Sequence, residues 1–478
     1  MIVIKIKNQE FSYDIKALTL AFFPEEKCEV EQDMSFAGVL GYPMRCYFHG
    51  ELLWEERVSE PYDKNAVKRV LYRHFEKKSG KSLPWGILTG IRPVKIPFRL
   101  LREGKTVSEI ERIMKDEYYC DEDKIKLLLE VSQNEYKLTQ NMNHDKCYAL
   151  YIAVPFCPTR CRYCSFAAYP LSLYKDRVDE YLDALDREMK AAGKAYPNRR
   201  LTSIYVGGGT PTSLSEDQLE RLLRGIAVNF RQEGLLEFTV EAGRPDSITK
   251  EKLAVMKKYG VTRISINPQT MKADTLERIG RNHTPEEITQ VFWLAREAGF
   301  ANINMDLILG LPGEETEDFM KTLRKVKTLN PDSITLHTLV IKRASLLREE
   351  QEEKAGELYE ENKWIPEMLE YGKKFAREEG YFPYYMYRQK NKAGISKNTN
   401  QENIAFARSG KECYYNIFMM EEMETILALG AGASSKIVFP EEKRMKRVGK
   451  VKGVEEYMER IDEMIQKTAV YYQKGDNK

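Results

Sequence analysis

The 478-residue chain lacks any apolar run of about 18 residues, so no membrane-spanning helix is expected. Its opening, MIVIKIKNQEFSYDIKALTL, lacks the basic start, apolar stretch and small-residue cleavage site of a secretory signal, and a cytoplasmic setting is expected. No sign of charge dominates: 75 Lys and Arg stand against 73 Asp and Glu, which argues against a nucleic-acid polyanion as the main partner. Cysteine is sparse. Of the 8 present, Cys28, Cys46, Cys120, Cys147 and Cys413 are scattered, which is no disulfide framework for a long unsecreted chain. Internal repeats and low-complexity segments are missing. What remains is a soluble globular composition, 42% hydrophobic and 31% charged. The length suits two or three domains, or one barrel of roughly 200–250 residues with extensions.

Residues 1–60 read as short strands of a small antiparallel sheet. Val67, Val70, Leu71 and Phe75 recur at helical spacing over 63–80, and 107–140 reads as two helices. A polar stretch at 141–146 looks like a linker, so an N-terminal α+β domain is placed at 1–144. From 147 the rhythm changes. CYALYIAV, SIYVGGG, LEFTVEA, TRISIN, INMDLILG and SITLHTLV read as strands separated by amphipathic helices. This alternation implies parallel βαβ units over 147–341, as a partial or complete α/β barrel or a doubly wound sheet. Residues 342–375 read as charged helix, and 376–478 as mixed helix and strand.

The remaining cysteines, Cys157, Cys161 and Cys164, fall within eight residues directly after the first of these strands. Thiolates are soft ligands suited to iron–sulfur clusters. A [4Fe–4S] cube takes four ligands and this loop offers three, which leaves one iron open. Structural zinc is the other reading of clustered cysteines, but it usually shows four ligands. In α/β barrels active sites form at the C-terminal ends of strands, where this loop lies.

Other strand ends carry chemistry. Gly207-Gly208-Gly209-Thr210-Pro211 ends the second strand; successive glycines allow close backbone approach and expose N–H groups. Glu241 ends the third strand, where a carboxylate can pair with an ammonium group. Gln269 follows the fourth and can bind hydroxyls. Arg281, on the next segment, can hold a carboxylate bidentately. In the fifth strand alternation puts Asp306 opposite Met305 and toward an interior. Each of these is also readable as a satisfied polar or surface residue. His337, in the sixth, reads equally as a polar core residue or a ligand contact.

CPTRCRYC resembles the CxxxCxYC motif of the radical S-adenosylmethionine (SAM) superfamily, and 147–341 its partial (β/α)6 barrel. PFC, GGGTP, the Glu after strand three, SINPQ, GRNH and MDLILGLPGE resemble the oxygen-independent coproporphyrinogen III oxidase family. WGILTGIRPVK, VEAGRPD, TLHTL, KRAS, YYMYRQK and GAGAS are similar to its HemZ branch. The resemblance implies a [4Fe–4S] cluster on Cys157, Cys161 and Cys164, and SAM as one molecule or two. Cofactor contacts would come from Tyr163, Gly207, Gly208, Gly209, Thr210, Glu241, Gln269, Arg281 and Asp306. Tyr151 takes the place of a family active-site tyrosine. The implied reaction is oxidative decarboxylation of coproporphyrinogen III propionates to vinyl groups in heme biosynthesis. The implied partners are a tetrapyrrole substrate and an electron donor such as flavodoxin or ferredoxin, with 342–478 covering the substrate. Lys342, Arg343, Arg388 and Lys390 are candidate anchors for its carboxylates. One departure matters: Phe166 stands where the bacterial oxidase has a further cysteine. Heme chaperones and heme-acting radical SAM methyltransferases share this barrel and are the alternatives.

Overall fold

The computed structural model describes residues 1–166, 168–341, 345–347, 363–389, 402–439 and 444–476. Lys342, Arg343 and Lys390, and most of the charged stretch from 342, lie outside the described residues. The chain divides into two units, Met1–Gln140 with Met386–Asn403, and Asn141–Tyr385 with Ile404–Lys478.

In the first unit, β1 (Ile2–Ile6), β2 (Cys28–Gln32), β3 (Tyr42–Phe48) and β4 (Glu51–Val58) form a sheet in the order β2-β1-β3-β4. β1 and β2 are parallel, which corrects the all-antiparallel expectation. The reason is α1 (Ser12–Phe22). Strand-like alternation stops at Ile6; beyond it Ile15, Leu18 and Phe22 bury one helical face, and this helix makes the crossover that a parallel pair needs. α2 (Lys64–Ser79) starts on an Asp63 cap, stops at left-handed Gly80 and buries Val67, Val70, Leu71 and Phe75. α3 (Lys95–Arg102), α4 (Val107–Asp116) and α5 (Glu122–Thr139) follow. Arg388 belongs to this unit, half-buried, donating to the Leu88 carbonyl at 2.5 Å and lying over the Trp85 ring.

In the second unit β5 (Cys147–Val154), β6 (Arg200–Gly208), β7 (Glu237–Glu241), β8 (Arg263–Ser265), β9 (Ile303–Leu309) and β10 (Ser333–Thr338) are the six strands expected. They pair parallel in that order. The helices between them are α6 (Val178–Ala192), α7 (Glu216–Asn229), α8 (Lys250–Lys258), α9 (Pro285–Glu297) and α10 (Thr316–Leu329). After α11 (Ile365–Glu378) come β11 (Phe382–Arg388) and β12 (Glu402–Ala407), of which Phe382–Tyr385 and Ile404–Ala407 belong to this unit, and β12 runs antiparallel to β10. Past α12 (Tyr414–Glu421), β13 (Thr425–Leu429) pairs parallel with the other side of β5 and adds a seventh parallel strand. β14 (Ser434–Phe439) and β15 (Arg444–Gly449) complete an open sheet, in the order β11-β12-β10-β9-β8-β7-β6-β5-β13-β14-β15.

Register separates two chemistries. Ile152, Val206, Val240, Ile264, Met305 and Ile334 lie on one face, and Leu336 on that face meets Phe319 of α10 and Gly372 of α11. The other face carries Tyr151, Tyr205, Thr239, Glu241, Arg263, Ser265, Asn304, Asp306 and Thr335. Side chains alternate with period two, so a strand can give one face to the helices and a polar face to the barrel interior.

Candidate functional site

The cysteine loop leaves the end of β5 over a short ladder, Phe156–Cys157 beside Tyr169–Pro170. Phe156 is fully buried edge-on against Tyr181 of α6, and its carbonyl accepts from the Thr210 N–H at 2.7 Å. The loop neck is thus fixed between α6 and the end of β6. Farther out, the Arg162 N–H bonds the Ile279 carbonyl and the Cys164 N–H bonds that of Cys161. All three thiols are free and partly exposed, whereas the other five cysteines are buried.

The thiols differ in electrostatics. Burial pushes Cys157 up to about 11 and raises Cys164. Burial raises Cys161 too, but the guanidinium groups of Arg281 and Arg244 outweigh it and hold this thiol below its usual value. Among the described residues no three His, Cys, Asp or Glu side chains are gathered closely enough to hold a single metal ion. The Nδ1 of His144 lies 3.3 Å from Glu424.

The glycines of the β6 end make room for protein. A methyl at Gly207 would fall 2.6 Å from the Glu241 carboxyl carbon, and one at Gly209 would fall 2.5 Å from the Phe156 carbonyl oxygen. Gly208 sits at φ +105°, a left-handed backbone that glycine adopts without strain. The Gly209 and Thr210 N–H groups bond the Val154 and Phe156 carbonyls, so the chain itself takes them. Glu241 therefore rests against bare backbone. The Tyr205 hydroxyl donates to it at 2.6 Å. Burial pushes its carboxyl up to about 7, opposed by the bonds from Tyr205 and the Gly208 N–H.

Gln269 follows β8 at φ +66°, 7% exposed, its N–H on the Asp306 carbonyl and its carbonyl accepting from Ile308. Its side-chain Oε1 has no partner. Arg281 is 5% exposed; it donates to the Asn267 and Gly243 carbonyls and keeps its Nε unpartnered. Asp306 accepts from Asn304 at 2.7 Å and lies 3.7 Å from His337. Burial raises its carboxyl, but the bonds from His337, Asn304 and Thr335 outweigh it and keep Asp306 below its usual range. These features suit a polar ligand such as SAM. Two buried polar atoms await partners, and a seated carboxylate and two cations stand at neighbouring strand ends.

Three contributors escaped the sequence reading. Tyr205 clusters with Tyr151, at 6.2 Å, and Tyr415, at 4.6 Å, which are themselves 6.0 Å apart. Its place two residues before Gly207 on β6 could have revealed it by alternation. Tyr415 comes from α12, distant in sequence, and nothing local signals it; its hydroxyl has no partner. Arg244 lies three residues past Glu241 and bonds the cysteine loop. Tyr163 contacts Cys161 and Arg281, and Phe166 is 68% exposed.

Residues 151–326 match the Radical SAM superfamily. The oxygen-independent coproporphyrinogen-III oxidase-like protein HemZ of Bacillus subtilis is 39% identical over 84% of this chain and 79% of its own length. The heme chaperone HemW of B. subtilis is 40% identical over 40% of this chain and 50% of its own length. In fold, the chain is similar to coproporphyrinogen III oxidase (HemN) from Escherichia coli, described as a radical SAM enzyme. The TM-score is 0.53 at 22% identity, covering 70% of this chain and 72% of that one. Among the described residues no helix is long and apolar enough to cross a membrane.

Proposed function

This chain belongs to the oxygen-independent coproporphyrinogen III oxidase-like family of the radical SAM superfamily, and on that premise we propose that it decarboxylates tetrapyrrole propionates oxidatively, turning coproporphyrinogen III into protoporphyrinogen IX. The family's cofactors are a [4Fe–4S] cluster and SAM. When bound, they would supply a 5′-deoxyadenosyl radical, made with one electron from the reductant and able to take hydrogen from a propionate β-carbon; loss of CO2 with passage of one electron to an external one-electron acceptor would leave a vinyl group.

The chain's own residues bind and orient. Cys157, Cys161 and Cys164 would hold the cluster, with Tyr163 in contact with Cys161. Glu241, seated by Gly207 and Tyr205, receives the SAM ammonium group. The unpartnered groups of Gln269 and Arg281 receive hydroxyls and carboxylate, and Asp306 adds a fixed negative charge. Tyr151, in the stack with Tyr205 and Tyr415, forms a wall of the interior. The observation that carries this reading is the convergence of loop, carboxylate and unpartnered polar atoms on adjacent C-terminal strand ends of one polar sheet face. The reductant is a low-potential donor such as flavodoxin or ferredoxin.

A second reading has its own support. Phe166 stands in place of the oxidase cysteine, and a heme chaperone is among the relatives. The test is anaerobic reconstitution followed by incubation with SAM, reductant and coproporphyrinogen III. The proposal expects protoporphyrinogen and CO2, with SAM cleavage abolished by Cys161→Ala. Stoichiometric heme binding and transfer without decarboxylation would establish the chaperone instead. Methylated tetrapyrrole with S-adenosylhomocysteine would point to a methyltransferase.

A further inference from the structure

Between the first two cysteines the loop is held by one side chain from another strand end. Arg244 is 2% exposed, on the segment after β7. Its Nη1 donates to the Thr159 hydroxyl at 3.0 Å and the Thr159 carbonyl at 3.2 Å, and lies 3.7 Å from the Cys161 sulfur. The other edge of the guanidinium is fixed by Asp246, through Nε at 2.9 Å and Nη2 at 2.7 Å. Ser247 bonds the Arg244 carbonyl at 2.7 Å, so both backbone and side chain are pinned. The fork of arginine permits this: one edge grips a carboxylate while the other reaches a carbonyl, a hydroxyl and a sulfur.

Arg281 is a further cation acting on Cys161, Arg160 and Arg162 flank it along the chain, and Asp246 is the anion paired with Arg244. His283 is 6% exposed with neither ring nitrogen partnered, and burial, with Arg281 and Arg244 beside it, pushes it down to about 4. It therefore contributes no positive charge at neutral pH.

We infer that Arg244 is a positioning residue that raises the reduction potential of the cluster held by Cys157, Cys161 and Cys164, with Asp246 as the counterweight that limits the rise. The inference rests on the cluster assignment proposed above. Reduction adds a negative charge to the cluster. A buried guanidinium donating toward a ligand sulfur favours the reduced form, since hydrogen bonds to sulfur, net charge and burial set such potentials. A carboxylate on that guanidinium opposes it. The two residues thus act with opposite signs, which a mere loop staple would not do.

The test is a redox titration of anaerobically reconstituted full-length protein without SAM. The reduced cluster is followed by electron paramagnetic resonance, and iron and sulfide are measured on each sample. Arg244→Met is expected to lower the reduced-to-oxidised ratio about tenfold at fixed ambient potential, equivalent to about 59 mV for a one-electron couple. Arg244→Lys is expected to fall between Met and wild type, and Asp246→Asn to raise the ratio several-fold. A fully loaded Arg244→Met cluster with unchanged midpoint overturns the inference. If Arg244→Met retains no iron, Asp246→Asn decides, and an unchanged or lower midpoint there overturns it equally. Wild-type protein that takes up no iron and sulfide would defeat the cluster assignment itself, a distinguishable failure.

Discussion

Glu241 is the residue whose behaviour depends most on its seat. It rests against Gly207 and takes the Tyr205 hydroxyl, yet burial still pushes its carboxyl up to about 7. Because this value lies above the ordinary 4.5, the folded chain holds a proton that the unfolded chain has already released between those pH values. Stability from this group is therefore complete below 4.5 and falls as pH rises toward 7. Glu241→Gln is expected to flatten that part of the stability profile, read by urea unfolding from pH 4 to 8. An ammonium ligand needs the ionised carboxylate, so SAM affinity is expected to rise with pH through about 7 and then level. Tyr205→Phe removes a bond to the charged form. SAM binding at pH 7 is then expected to weaken roughly tenfold and to recover at higher pH, as measured by equilibrium dialysis. Gly207→Ala drives a methyl into the same carboxyl and is expected to weaken binding at least as much while the fold persists. The sequence alone located Glu241, because a carboxylate ending a β-strand is visible there. The upward shift of its carboxyl was not visible, since it comes from burial in the folded chain, which the bond from Tyr205 on the neighbouring strand only partly offsets.

At the scale of elements, the cysteine loop depends on its neck. Phe156 is fully buried against Tyr181, and its carbonyl ties the loop to Thr210. Phe156→Ala is expected to cost about 3–5 kcal/mol in urea unfolding and to lower retained iron after reconstitution. The six strands β5 to β10 were legible because each couples a short β-rich run to a following amphipathic helix. α1 was not, since an alternating start masked the helical spacing of Ile15, Leu18 and Phe22. Arg244 stood in plain view, but its reach to Cys161 depends on two loops meeting, which local pattern does not encode.

On the scale of the whole molecule, the sheet is completed from far along the chain. β13 lies parallel to β5, placing Ala428 beside Tyr151, and α12 brings Tyr415 onto Tyr205. TILAL is a brief apolar run whose partner lies hundreds of residues earlier, so the sequence offers no sign of the pairing. Truncation before Tyr414 is expected to give an aggregating chain, seen by gel filtration, because it strips β5 of a neighbour and bares a strand edge.

The proposed chemistry needs a cluster whose fourth iron is left open by the three cysteines Cys157, Cys161 and Cys164. The direct measurement is the electron paramagnetic resonance spectrum of the reduced, reconstituted protein before and after SAM is added. A [4Fe–4S] signal that changes shape with SAM, and is lost in Cys161→Ala, is the expected result. A signal indifferent to SAM, or retained in Cys161→Ala, would contradict it.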